Sequence, residues 1–79
     1  MASQLVLYTG PHCSLCEKAK QVIYPVIAAT GHQLIERDIT SDVSWLRQYR
    51  TSIPVVAVDD RELNWPFDQE HLYQFMQIS

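Results

Sequence analysis

Residues 5–20, LVLYTGPHCSLCEKAK, run from an apolar segment into two cysteines three positions apart, Cys13 and Cys16, the chain's whole complement of that residue. Residues 5–9 are apolar and end at Gly10-Pro11, punctuation that suits a buried strand better than the start of a helix. Beyond Cys13 the apolar positions Leu15, Ala19, Val22, Ile23, Val26 and Ile27 recur at helical spacing, and Gly31 supplies a stop. The cysteine pair therefore falls where a strand hands over to a helix. Pro25 lies inside the helical pattern, where it removes a backbone bond and crowds the preceding turn, so a kink or break near Tyr24 is predicted.

The remaining segments follow in the same way. Residues 32–39, HQLIERDI, place Leu34 and Ile35 among polar flanks and read as a second strand. Residues 40–49, TSDVSWLRQY, offer Thr40 or Ser41 as an N-cap, Asp42 in the first turn, and the apolar set Val43, Trp45, Leu46 and Tyr49. This predicts a second helix. Residues 53–65, IPVVAVDDRELNW, carry a β-branched run, a turn at Asp59-Asp60 and a polar-apolar return through Leu63, which reads as a hairpin. Pro66, Asp68 as an N-cap and the series Leu72, Tyr73, Phe75 and Met76 mark a last helix running to the end of the chain.

The order β-α-β-α-β-β-α predicts an α/β fold of three layers: a four-stranded mixed sheet, its parallel pair closed by a βαβ unit, with helices on both faces. With 79 residues, the chain forms one domain over residues 1–79, since a second core would have too little surface to bury. Apolar residues at 47% and charged residues at 19% suit a globular protein. The formal net charge is -3, and no cluster of Lys and Arg is present to contact phosphates, which argues against nucleic acid as a partner. Residues 1–10 do not read as a signal peptide, and the apolar run at 22–29 is too short to span a bilayer, so a cytoplasmic monomer without a membrane partner is expected.

In a reducing compartment two cysteines this close have catalytic, redox or metal roles more often than a permanent structural one. A closed zinc site needs four ligands at set spacings, whereas His12, His32 and His71 are scattered, so no metal is expected. At a helix start, unpaired backbone N–H groups favour an anion and lower the thiol pKa from its free value of about 8.5. Cys13 is then the candidate nucleophile. Cys16, one turn on, shares its face and is placed to resolve a mixed disulfide. A C-x-x-C pair in a βαβ context reads as thioredoxin-like. Residues 52–56, SIPVV, add a proline directly before a strand, a usual place for a cis bond or for plain punctuation.

Together, VLYTGPHCSLCEKAK and SIPVVAV resemble the glutaredoxins of the thioredoxin superfamily, and in particular their short bacterial glutaredoxin-like members. The resemblance covers nearly the whole chain. It implies a thiol-disulfide oxidoreductase reducing protein or glutathione mixed disulfides. It also implies that Pro54 is cis beside the nucleophile and that the Ile53 backbone pairs with the substrate's cysteinyl moiety. Candidate catalytic residues are Cys13 and Cys16, and candidate substrate-binding residues are His12, Leu15, Ile53 and Pro54. No tightly bound cofactor is expected, with glutathione as a co-substrate. Three features depart from the family pattern: Gly10 stands where a lysine is usual, Ser14-Leu15 lie between the cysteines, and LNWPF replaces a Gly-Gly pair. Trp65 and Phe67 are expected to reshape that part of the groove. Two alternatives share the fold: an iron–sulfur cluster held by Cys13 and glutathione between protomers, and a redox-inert adaptor binding through Leu15, Ile53 and Trp65.

Several residues carry simpler readings. Arg50 suits a solvated helix C-terminus, Trp45 and Tyr8 the core, and Asp68 an N-cap. His12 either tunes the thiolate or simply faces solvent.

Overall fold

Leu5 and Leu7 pack on one face of strand β1 (Gln4–Thr9) and Val6 and Tyr8 on the other, because successive side chains of an extended chain alternate. The structure, a computed structural model, describes residues 4–77. β1 lies inside a four-stranded sheet ordered β2-β1-β3-β4, with β2 at Gln33–Asp38, β3 at Val55–Val58 and β4 at Arg61–Asn64. β2 runs parallel to β1 with Leu5 opposite Leu34, whereas β3 is antiparallel to both β1 and β4, with Tyr8 opposite Val55 and Val56 opposite Leu63. The hairpin turn sits at Asp59-Asp60, as expected, with Asp59 at φ 56°.

Helices cover both faces. Helix α1 (Ser14–Thr30) and helix α3 (Gln69–Gln77) pack Ala19, Ile23, Val26, Leu72 and Met76 against Leu5, Leu7, Val56 and Val58. Full burial of one such leucine contributes about 2–3 kcal/mol. Helix α2 (Val43–Tyr49) covers the opposite face, where Tyr49, Tyr8, Ile39, Val55 and Ala57 form a second cluster flanked by Trp45. Tyr8 and Tyr49 stack with ring centroids 4.0 Å apart, and Arg37 Nη1 donates to the Tyr8 hydroxyl at 3.0 Å.

Three local expectations are corrected. α1 is one continuous helix and not two pieces, with Pro25 inside it. Pro25 and Gln21, whose carbonyl loses its helical partner, are both exposed, so the lost bond falls on the solvent side while Ile23 and Val26 hold the same core on either side of the proline. Neither Thr40 nor Ser41 caps α2; they lie in a 3-10 turn (Ile39–Ser41) whose own cap is Asp38. Asp42 caps α2, its Oδ1 accepting from the Ser44 N–H at 2.8 Å and the Trp45 N–H at 3.3 Å. This register follows from burying Ile39, and it leaves Val43 and Leu46 on the solvent side instead of in the core. Phe67 is buried in the α1/α3 core rather than lining a groove, and Trp65 packs edge-on to it at 5.1 Å. Asp68 caps α3 as expected, accepting from the His71 N–H at 2.7 Å.

Candidate active site

β1 ends at Thr9, and the turn through Gly10, Pro11 and His12 aims the chain into α1. His12 adopts φ 56°, the left-handed region that costs a non-glycine residue about 1–2 kcal/mol, and its side chain is exposed. Cys13 follows in extended conformation (φ -110°, ψ 98°) as the N-cap of α1. Its Sγ accepts from the Cys16 N–H at 3.1 Å, the role a serine or aspartate oxygen fills at other caps. Cys13 and Cys16 are joined as a disulfide with Cα atoms 5.2 Å apart. Burial divides the pair: Cys16 is 1% exposed, whereas Cys13 is half-buried. Cys13 also lines an open surface groove together with Gly10, His12, Ser14 and Glu17. Leu15, between the cysteines, is 43% exposed.

The loop after α2 approaches this groove from the other side. The Tyr49 carbonyl accepts from the N–H groups of Ser52 at 2.9 Å and Ile53 at 3.3 Å, which turns the chain back towards β3. The Ile53-Pro54 bond is cis, and Pro54 is fully buried. Trp65-Pro66 is also cis, and nothing in the sequence had singled it out. Ile53 is half-buried, and its Cδ1 lies 2.9 Å from where a Cβ on Gly10 would stand. The structure thus gathers His12, Cys13 and Cys16 at one turn, brings Ile53 against the Gly10 wall of the groove, and buries Pro54 behind it. The flexible end of Ile53 fills the space above Gly10 that a side chain there would enter.

The charges nearby were not foreseen from the sequence. Lys20 Nζ lies 2.9 Å from Glu36 on β2 and 3.2 Å from Glu17, and these partners, Glu36 foremost, push its pKa up to about 12. The i,i+3 spacing of Glu17 and Lys20 was visible; the tie to Glu36 required the folded βαβ unit. On the other face the Tyr49 hydroxyl donates to Glu62 on β4, and burial, reinforced by that bond, raises its pKa well above 10.0. Tyr49 thereby pins the end of α2 from which the Ile53 loop departs. Arg50 is exposed at that helix end, as its simpler reading had it. Among the described residues no three His, Cys, Asp or Glu side chains cluster as a metal site, and no helix is long and apolar enough to cross a membrane.

The profile of the family described as Glutaredoxin-like domain (DUF836) matches residues 4–77. The chain belongs to this family. A glutaredoxin-like relative, Glutaredoxin-like protein YDR286C homolog of Dictyostelium discoideum, is 29% identical over 73 residues, spanning 84% of this chain and 68% of the relative. The X-ray structure of target protein XcR50 from X. campestris superposes with a TM-score of 0.77 at 29% identity, covering 95% of this chain and 97% of that one. A malarial protein reaches a TM-score of 0.73 at 12% identity, covering 99% of this chain and 97% of its own, and shares the fold alone. The glutaredoxin-like resemblance and the α/β fold read from the sequence are both borne out.

Proposed function

We propose that this chain is a thiol-disulfide oxidoreductase working through Cys13 and Cys16. The observation that carries the reading is the unequal burial of the disulfide: Cys13 faces the groove from a helix N-terminus while Cys16 is sealed beneath it. In the reduced protein the Cys13 thiolate attacks one sulfur of a substrate disulfide, forming a mixed disulfide and releasing the other half as a thiolate. Cys16 then attacks the Cys13 sulfur, closing the Cys13–Cys16 bond and releasing the second half. Two electrons pass from the protein dithiol to the substrate, and the Cys16 proton goes to the departing thiolate. A cellular dithiol, or two monothiols such as glutathione, returns the pair to the reduced state.

The Cys16 N–H supports this order of events, since the donor that now meets Cys13 Sγ also stabilises a thiolate there. His12, Leu15 and Ile53 form the substrate-binding surface, and the buried Pro54 fixes the loop that presents Ile53. The Ile53 N–H is taken by Tyr49, which leaves the Ile53 carbonyl to accept a hydrogen bond from the substrate backbone. Substrates are protein disulfides or glutathione mixed disulfides. The protein works in the cytoplasm as a monomer, without a tightly bound cofactor. Exchange with an excess of hydroxyethyl disulfide, followed by alkylation and mass measurement, tests the mechanism. Cys13→Ser should abolish dithiol turnover and Cys16→Ser should accumulate a mixed disulfide; turnover that survives Cys13→Ser refutes it.

A further inference from the structure

The groove beside Cys13 is lined by Gly10, His12, Ser14 and Glu17, so that Glu17 is its one carboxylate, His12 its one basic side chain, and no lysine or arginine is present. Lys20, the cation that pairs with Glu17, is shared with Glu36, so these three groups together carry one net negative charge. The side chain of Glu17 is 69% exposed, which leaves it free to meet an incoming molecule. Gly10, pressed by Ile53, contributes no side chain and therefore no charge to the opposite wall. The chain as a whole, these groups included, carries a formal charge of -3, of the same sign. A disulfide with carboxylates next to its sulfurs approaches Cys13 against this field, and one with ammonium groups approaches with it.

From this arrangement we infer that Glu17 sets the substrate class of the site, favouring disulfides flanked by cationic groups, such as a cystine on a basic protein segment, over anionic ones. The inference rests on the oxidoreductase reading above. Glu17 in the first turn also suits the helix dipole, a role it fills whatever the substrate. Its carboxylate further affects the Cys13 thiolate itself, but that influence acts equally on every substrate. A ratio of rates for two substrates of opposite charge removes it.

The test uses the reduced protein mixed with cystamine, whose ends are ammonium groups, or with dithiodiglycolate, whose ends are carboxylates, at low ionic strength. The reaction is quenched in acid, and free thiols are alkylated and counted by mass. A unit charge roughly 7 Å away in water changes each rate about threefold, in opposite directions for the two reagents. The cystamine-to-dithiodiglycolate ratio should therefore fall close to tenfold in Glu17→Gln and further in Glu17→Lys. In the unaltered protein it should fall towards the Glu17→Gln ratio as salt rises from about 0.01 to 0.5 M, since the screening length drops from about 30 Å to a few ångströms. Equal ratios in all three proteins overturn the inference and leave the oxidoreductase standing. Failure of the unaltered protein to exchange with either reagent overturns the proposed function as well.

Discussion

Gly10→Ala tests whether Ile53 truly shapes the wall of the groove. The new Cβ would stand 2.9 Å from Ile53 Cδ1, short of the roughly 3.5–4.0 Å at which carbon atoms rest. The obstacle is the free end of a flexible side chain, so Ile53 turns aside, at the ~0.5–1.5 kcal/mol that an off-rotamer angle costs. The φ of Gly10 lies outside the left-handed region, and Pro11 favours an extended conformation there, so alanine is tolerated by the backbone. Reduced freedom of the unfolded chain returns about 0.4–1 kcal/mol. The single substitution should therefore sit within about 1 kcal/mol of the unaltered protein. The informative quantity is its coupling to Ile53→Val, which deletes the obstructing Cδ1. Alone, Ile53→Val should cost about 0.5–1.5 kcal/mol; in the Gly10→Ala background it should cost nothing or stabilise. Urea unfolding of the four oxidised proteins should give a coupling energy of about 1 kcal/mol. Strict additivity, within about 0.3 kcal/mol, would refute the reasoning, because it would mean that Ile53 does not occupy the space above Gly10.

Two predictions concern pH. Lys20 is raised from 10.5 to about 12 and Tyr49 is raised above 10.0, so each contributes stability below its unfolded value that disappears as pH climbs past it. Urea midpoints should fall between about pH 10 and 12, with a smaller fall in Lys20→Met; a flat profile contradicts both assignments. At the acid end, the side-chain hydrogen bonds from Thr40 and Ser44 hold the Asp38 and Asp42 carboxyls below 3.8. Their contribution is complete above 3.8 and is lost as pH drops through the lowered values, so Asp38→Asn with Asp42→Asn should flatten the acid limb of the same titration.

Much of this molecule was legible because local chemistry carried it. Apolar alternation and helical spacing defined the seven main elements, Gly31 closed α1 in the left-handed conformation with φ 76°, and Asp68 capped α3. The cysteine pair at a strand-to-helix junction and the proline at position 54 marked the site before any contact was known. Where several local choices were nearly equal, the sequence left the answer open. Thr40, Ser41 and Asp42 are all good capping residues, and the burial of Ile39 selected among them. Pro25 is a strong helix breaker in isolation, yet packing on both sides of it outweighs one lost backbone bond.

The amino-acid order by itself determined the element types, the fold class and the location of the reactive pair, because periodicity, capping and turn chemistry act within a few residues. Tertiary structure alone decided which sulfur faces solvent, that Ile53 fills the space above Gly10, that Phe67 joins the core, and that Lys20 is held by Glu36. Each of these depends on segments distant along the chain meeting in space, and the energy that settles them arises only once the sheet has closed.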